Sequence, residues 1–347
     1  MKRLLFTAIH PAPYIDQWIW MLRKYYDIEV AYNYKKSAAK TWQSYSPVGG
    51  KIIKEYGLIR WTKHIVKNDV ILLNGWNKPY NIYTLFIAFL IRKEILVFSD
   101  YPMEIVKYSL KWFLKKCFLL LFVPRILCAT QSTQKYYQRI FSYKEKNTIF
   151  FPYATITAPD LTEFNEKRRH SLMQGDKIRI FVANNFRARK GYNVLTESLL
   201  LLSKKELSEI DLVIAGSGEL FDEYCSKLKK IKPDIKFLGW IENDTYSEYM
   251  EQTDVFIHAS IFEPFGIPPV DAMKYGKLLI VSDGVKSTDE IILDGVNGYI
   301  FSAGDAKELA SKIKNVVKNR KNLYEMAAKG KEDVCKVYNN ECYKIIL

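Results

Sequence analysis

Residues Asp254–Gly276 place two carboxylates, Glu263 and Asp271, eight positions apart around a glycine and two prolines. Val255–His258 is apolar enough for a strand, and Glu263 falls in the loop after it. Pro268 and Pro269 suit the first turn of a helix, where a missing N–H costs nothing. Gly266 lets the backbone approach a ligand closely. The amides near Phe265, Gly266 and Ile267 then sit at the positive end of that helix, an anion site most naturally filled by phosphate. Asp271, about one turn into the helix, can accept two hydrogen bonds from vicinal hydroxyls such as those of a ribose or hexose. A sugar attached to a phosphate matches all of these groups.

A second chemical cluster lies upstream. Arg187, Arg189 and Lys190 put three cations within four residues, just before Gly191 and the start of a helical pattern. Such a group suits a diphosphate leaving group, whose charge grows as the bond to the sugar breaks. An exposed basic turn is the plain alternative for each of the three.

These residues need elements to hold them. Short apolar runs at Leu4–Ile9, Ile28–Tyr32, Val70–Leu73, Ile95–Ser99, Ile126–Thr130 and Thr148–Phe151 read as a first set of strands. The polar stretch Asp160–Asp176 reads as a connection. Strands then resume at Ile178–Ala183, Asp211–Ala215, Ile235–Leu238, Val255–His258 and Leu278–Ser282. Helical patterns lie between them, at Tyr192–Leu202, Leu220–Lys230, Asp244–Gln252 and Pro269–Tyr275. This alternation predicts an α/β protein with two parallel sheets, each flanked by helices. Ligands of such sheets bind beyond the carboxyl ends of the strands, so the site is expected in a cleft between two facing domains. The expected domains are residues 1–165 and 166–347.

The chain has 347 residues, enough for about two domains. Its 48% hydrophobic and 26% charged composition excludes disordered and collagen-like classes. Five scattered cysteines show no metal-ligand spacing and fit a reduced, cytoplasmic chain. Charge divides unevenly. Residues 1–160 carry 24 basic and 10 acidic side chains, a net of +14, whereas the remainder carries 28 of each. Six of the seven tryptophans also lie in the first part. That part is expected to meet something anionic. The apolar run Leu4–Ile9 is too short for a secretory signal, and Cys117–Val123 is too short to span a bilayer. Met103–Phe122 reads as a helix with Lys107, Lys111 and Lys115 on one side. Val106, Leu110, Phe113, Leu114, Cys117 and Leu121 lie on another. This pattern suits an anionic membrane surface; an ordinary amphipathic helix with a solvated lysine stripe is the alternative. Nucleic acid would also answer to the charge, but no zinc-finger spacing or RNA-binding signature supports it.

The Glu263–Asp271 segment resembles the E-x7-E region of retaining glycosyltransferases of the GT-B fold, most closely glycosyltransferase family 4. Asp271 stands where the family usually has Glu. Ser282-Asp283-Gly284, Glu290 to Phe301, Ala215-Gly216-Ser217-Gly218 and Phe237-Leu238-Gly239-Trp240 extend the resemblance over residues 178 to about 305. His10 to Gln17 and Phe98 to Pro102 resemble the family more loosely.

The resemblance implies specific roles. Glu263 would contact the donor hexose, and Asp271 the ribose. The amides of Phe265, Gly266 and Ile267 would take the diphosphate. Lys190 matches the family lysine, and Asn185 stands where an arginine is usual, so Arg187 or Arg189 would substitute. Gly216 and Leu238 would line the nucleotide. The family often carries a His where this chain has Ser99-Asp100, which makes Asp100 a candidate catalytic group. His10, Tyr14 and Asp16 would face the acceptor. No metal or other cofactor is implied. The final segment, 322–347, would pack back on the first domain. The implied activity is transfer of a hexose-type sugar from a nucleotide-sugar, with UDP as the expected nucleotide, to a glycan or a polyprenyl- or lipid-linked acceptor. The anomeric configuration would be retained. The setting would be bacterial surface-polysaccharide assembly at the inner face of the plasma membrane. A sugar-nucleotide epimerase or hydrolase of the same fold, or a non-catalytic membrane-surface scaffold, are the rival readings.

Overall fold

A computed structural model describes residues 1–35, 49–102, 109–339 and 342–343. The chain forms two compact units, residues 1–154 with the pair Cys342–Tyr343, and Thr155–Asn339.

In the first unit, strands β1 (Lys2–Ala8), β2 (Tyr26–Tyr32), β3 (Lys51–Ile52), β4 (Val70–Asn74), β5 (Glu94–Ser99), β6 (Arg125–Cys128) and β7 (Thr148–Phe150) form one parallel sheet. Helices α1 (Pro13–Leu22), α2 (Ile53–Lys67), α3 (Pro79–Leu90), α4 (Leu110–Phe122) and α5 (Gln131–Phe141) connect them. The strand order is β3-β2-β1-β4-β5-β6-β7, so direction reverses between β1 and β4. β4 is buried along its whole length and β5 over Ile95–Phe98, and both read as apolar runs there, as parallel strands covered on both faces must. Trp61 of α2, Leu85 of α3, Trp112 and Leu119 of α4, and Tyr137 and Phe141 of α5 share one core on the sheet. Trp18 of α1 lies in an aromatic cluster. Its ring stacks on Tyr153 at 5.1 Å and meets Phe98 edge-on at 4.5 Å.

The second unit begins with α6 (Thr162–Met173). Strands β8 (Ile178–Ala183), β9 (Ile210–Ala215), β10 (Lys236–Gly239), β11 (Val255–His258), β12 (Leu278–Ser282) and β13 (Tyr299–Phe301) follow. They alternate with α7 (Tyr192–Leu200), α8 (Lys204–Ser208), α9 (Phe221–Ile231), α10 (Asn243–Gln252) and α11 (Ile267–Lys274). The unit ends on α12 (Ala306–Lys318) and α13 (Leu323–Val337). All pairings are parallel in the order β10-β9-β8-β11-β12-β13, and the reversal lies between β8 and β11.

Three expectations change. Asp160–Asp176 is not a bare connection. It holds α6, and Arg168 on that helix is only 5% exposed, paired at 2.9 Å with the fully buried Asp254. Polar composition hid a helix whose one inward charge has its buried partner 86 residues away, with the exposed Asp176 as a second partner at 2.9 Å. The units divide after Ala154, earlier than the expected boundary at 165. The terminal segment is also split: α13 packs within the second unit, and the described return to the first is Cys342–Tyr343. There the Tyr343 hydroxyl donates to Tyr153 O at 3.2 Å.

Met103–Tyr108 and Lys107 lie outside the described residues, so the basic helix is seen from Leu110. Lys115 does not belong to a solvated stripe. Its ammonium lies 5.5 Å above the Trp76 ring and 5.3 Å from that of Phe141, half-buried, and burial and Lys111 hold its pKa below the ordinary lysine value.

Candidate active site

The reversal point of the second sheet decides where the chemistry gathers. The loop leaving β8 carries Asn184 to Gly191, and the loop leaving its neighbour β11 carries Ala259 to Gly266. Two strands adjacent at such a point splay their following loops apart and open a crevice at their carboxyl ends.

The two loops touch through Gly191. Its φ is +73°, and a Cβ there would stand 1.8 Å from Ala259 O, so only glycine fits. Ile261 N donates to Arg189 O at 2.8 Å and sets the register. As a result Lys190 Nζ donates directly to Glu263 Oε2. Arg189 Nη1 donates to the same oxygen at 3.2 Å and to Phe262 O at 3.1 Å. The Glu263 backbone is clamped as well: its N–H donates to Gly284 O at 2.9 Å and its carbonyl accepts from Lys286 N at 3.1 Å. The Lys190 and Glu263 side chains are 10% and 14% exposed, and Arg189 is 47% exposed. Burial lowers the Lys190 pKa, Glu263 raises it, and the neighbouring arginines lower it again; the net shift is downward. Burial acts to raise Glu263, yet the charges of Lys190 and Arg189 outweigh it and keep the carboxylate ionised.

Behind this pair stands His258, fully buried at the end of β11. Ser260 Oγ lies 3.1 Å from His258 Nε2, and Asn184 Nδ2 donates to Ser260 Oγ at 3.2 Å. Burial, with Lys190 and Arg189 adding to it, drives the imidazole pKa down to about 3, so it is neutral. A neutral ring leaves Glu263 as the carboxylate that balances the cations. From the sequence, His258 is the last residue of a predicted strand, and neither Asn184 nor Ser260 stands out. Their signal was position, at the ends of the two strands beside the reversal.

Helix α11 opens on Gly266, at φ +95°, where a Cβ would come 2.8 Å from Val285 Cγ1. Pro268 and Pro269 occupy its first turn, as expected. Phe265 is buried, with its ring 5.7 Å from Tyr338, and Ile267 is the first helical residue. Asp271 is placed differently from Glu263. Its carboxyl is buried, Oδ1 accepts from Ile156 N at 3.3 Å, and burial pushes its pKa up to about 7. Near pH 7 it is therefore about half protonated. No sequence spacing announces this, because Ile156 lies 115 residues away.

The remaining donor-side candidates spread around the same strand ends. Asn185 is half-buried, with its N–H donating to Asn184 Oδ1 at 3.1 Å. Arg187 is exposed. Gly216 approaches Asn184 O so closely that a Cβ would fall 1.8 Å from it, and its N–H donates to Gly239 O at 2.7 Å. Leu238 is half-buried on the edge strand β10.

The first unit gathers a second group at the ends of β1 and β5. Tyr153 donates to Asp100 Oδ1 at 2.6 Å, and the Tyr14 ring meets Tyr153 edge-on at 5.0 Å. Burial, then Asp100, raises the Tyr14 hydroxyl well above its ordinary value. Tyr153 was not singled out from the sequence. His10 Nδ1 lies 2.9 Å from Pro11 O. Asp16 is half-buried on α1 and helps raise the pKa of Tyr32. Among the described residues no cluster of three or more His, Cys, Asp or Glu could hold a metal.

Comparison with known proteins follows the same outline. Residues 163–333 match the family described as glycosyl transferases group 1. The chain is 26% identical over 255 residues to an uncharacterized 41.2 kDa protein in the cps region of Klebsiella pneumoniae, covering 70% of this chain and 68% of that one. It is 32% identical over 134 residues to an uncharacterized glycosyltransferase of Methanocaldococcus jannaschii, covering 38% and 33%. Among solved structures, Anabaena HepE in complex with UDP superposes with a TM-score of 0.76 at 17% identity, over 99% of this chain and 97% of that one. The same protein is also known with UDP-glucose. Sucrose-phosphate synthase from Thermosynechococcus elongatus gives a TM-score of 0.71 at 14% identity, over 99% and 97%. At these identities the structures speak for the fold, which is GT-B.

Proposed function

We propose that the chain, whose residues 163–333 match the group 1 glycosyltransferases, moves a hexose-type sugar from a UDP-sugar to a glycan or lipid-linked acceptor with retention of configuration. The observation that carries this reading is the Lys190–Glu263 pair beside the amino end of α11. Within the chain each charge is neutralised by the other. A sugar diphosphate offers both a better partner. The diphosphate takes Lys190, Arg189 and the amides of Gly266 and Ile267, while its hexose hydroxyls take the Glu263 carboxylate. Asp271, with Oδ1 held by Ile156, turns its other oxygen to the ribose.

The chemistry follows from that exchange. As the anomeric C–O bond breaks, negative charge collects on the diphosphate. Lys190 and Arg189 are already in place to stabilise it, which lowers the barrier without reorganisation. A departing phosphate oxygen accepts the proton of the acceptor hydroxyl, which attacks from the face being vacated. The sugar keeps its configuration, and no covalent bond to the protein is needed. Positive charge comes from side chains and amides, so the reading assigns no metal. The HepE complexes with UDP and UDP-glucose support a uridine donor. The relative from a cps region supports placing the acceptor in bacterial surface-polysaccharide assembly. The inner face of the plasma membrane is the location this reading assigns to the enzyme. His10, Tyr14, Asp16 and Asp100 are the groups we assign to the acceptor.

A thermal-shift screen of UDP, GDP, ADP and their sugar conjugates tests this, with mass spectrometry of the products. We expect UDP to stabilise the protein, by about 2.7 kcal/mol at a hundredfold excess over its Kd. We also expect one UDP-sugar to release UDP. Donor consumed to an isomer, with no UDP released, would reassign the protein as an epimerase. No shift with any nucleotide would leave a non-catalytic scaffold.

A further inference from the structure

Helix α11 buries a lysine one turn after Asp271. Pro269, Val270, Asp271, Ala272, Met273 and Lys274 are buried in succession, and Lys274 is only 7% exposed. Taking an ammonium out of water is costly unless its hydrogen bonds are replaced. Lys274 Nζ donates to Thr155 Oγ1 at 2.7 Å and to Ile156 O at 3.1 Å. The same residue Ile156 donates its N–H to Asp271 Oδ1 at 3.3 Å. Both backbone polar groups of Ile156 therefore end on one helix, on side chains three positions apart that share a face. This double clamp fixes where the Asp271 carboxyl points.

The clamp also carries charge. Burial raises the Asp271 pKa to about 7, while the Ile156 amide and the Lys274 ammonium pull it down. Two tyrosines also face this carboxyl, Tyr246 of α10 and Tyr275 at the end of α11. Burial raises both hydroxyls, with Asp271 among the further causes, so both are neutral near pH 7. The positive field on Asp271 thus comes from its own helix. An ionised carboxylate accepts hydrogen bonds from two vicinal hydroxyls, whereas a neutral carboxyl accepts more weakly. We propose that Lys274 is a positioning residue for donor binding: it fixes Thr155 and Ile156 against α11 and sets a positive charge beside the carboxyl that receives the ribose. The proposal takes its ligand from the transferase reading, on which it rests, and adds a residue whose effect passes through Asp271. A plain staple between α11 and residues 155–156 would cost stability alone, and the pH dependence of binding separates the two.

Two readouts on the full chain test it. The first is a carboxyl-carbon NMR titration of Asp271 without ligand, assigned by the signal lost in Asp271→Asn. The second is calorimetric binding of UDP at pH 7 and pH 9. Lys274→Met should raise the carboxyl midpoint by about one pH unit or more. The parent carboxyl is about half ionised at pH 7 and the variant's then about one-tenth, so the variant's Kd for UDP should be about fivefold higher. At pH 9 both are ionised, and the Kd should return to within about twofold of the parent's. Comparison with the parent at each pH cancels the titration of UDP itself. Lys274→Gln keeps a donor for Ile156 O and loses only the charge; it should behave in the same way and stands in if the methionine variant does not fold. In an Asp271→Asn background, Lys274→Met should change Kd by the same factor at both pH values. An unmoved midpoint would overturn the inference even where UDP binds normally. So would a variant-to-parent Kd ratio that is equal at pH 7 and pH 9, the mark of a structural staple. A moved midpoint in a chain that binds no UDP would overturn the donor reading and leave the Lys274–Asp271 linkage supported.

Discussion

Replacing Lys190 by Met tests the centre of the site, because the substitution keeps most of the side-chain volume and removes only the charge. Two separate effects follow. Without donor, Glu263 loses its nearest cation but keeps Arg189 at 3.2 Å. A buried carboxylate stripped of every partner costs about 3–5 kcal/mol. The retained Arg189 contact brings the expected loss of stability down to about 1–3 kcal/mol. With donor bound, the leaving diphosphate loses a preorganised cation. The loss in kcat should be about 10²–10³-fold, or about 2.7–4 kcal/mol. Arg189→Met should cost far less, about tenfold or below, because Arg189 is half exposed and its field is screened by water. Initial rates of nucleotide release, with kcat and kcat/KM measured separately, resolve the two effects, and thermal unfolding reports the stability term. The double variant Lys190→Met, Glu263→Gln should unfold at a higher temperature than Lys190→Met alone, since the stranded carboxylate is gone. The reasoning fails if Lys190→Met keeps kcat within threefold of the parent, or if Arg189→Met is the more damaging change.

Further outcomes follow from the same geometry. Gly191→Ala places a methyl 1.8 Å from Ala259 O at a positive φ, so the loop must move. We expect a loss of at least about 2 kcal/mol in unfolding and of most activity. Asp254→Ala removes the buried partner of Arg168, which keeps the exposed Asp176 at 2.9 Å, and strands the Tyr324 hydroxyl that donates to Asp254 at 2.7 Å. Denaturant unfolding should show a loss of about 2–3 kcal/mol. The stability–pH profile should contain two opposing slopes. His258, with a folded pKa of about 3, binds fewer protons folded than unfolded between about pH 3 and 6.5, so its contribution is lost as pH falls. Asp271, raised to about 7, holds an extra proton when folded between about pH 4 and 7, so its contribution is lost as pH rises. Each slope is about 1.4 kcal/mol per pH unit at most, and they nearly cancel where they overlap. Asp271→Asn should therefore steepen the acid loss between about pH 4 and 6.5, and His258→Gln should reverse it. Unfolding midpoints that stay parallel to the parent's in both variants would contradict these assignments.

Much of the protein was legible because its signals are local. A parallel strand buried on both faces must be an unbroken apolar run. Glycine at a sharp contact and proline at a helix start announce themselves within a few residues. Glu263 and Lys190 could be nominated from such signals and from their order along the chain. Other features depended on residues far apart in sequence. Asp160–Asp176 reads as a linker because nothing within it reveals that Arg168 turns inward to Asp254. Asp271 has the residue type and spacing of an exposed sugar ligand, yet Ile156 and burial change its charge state. Tyr153 becomes part of the Asp100 group only when the ends of β5 and β7 lie within one unit. The helix over Leu110–Phe122 shows the limit most plainly. Its periodicity gives two faces, one apolar and one basic, and the hydrophobic effect alone would turn the apolar one inward. Tertiary packing turned Trp112 and Leu119 to the core instead and left Phe113, Leu114 and Leu121 to the solvent. Sequence thus determined which side chains share a face and which loops carry chemistry, because both follow from backbone geometry a few residues long. Only the tertiary structure decided which face is buried and which charges meet, because those depend on distant parts of the chain competing for the same interior.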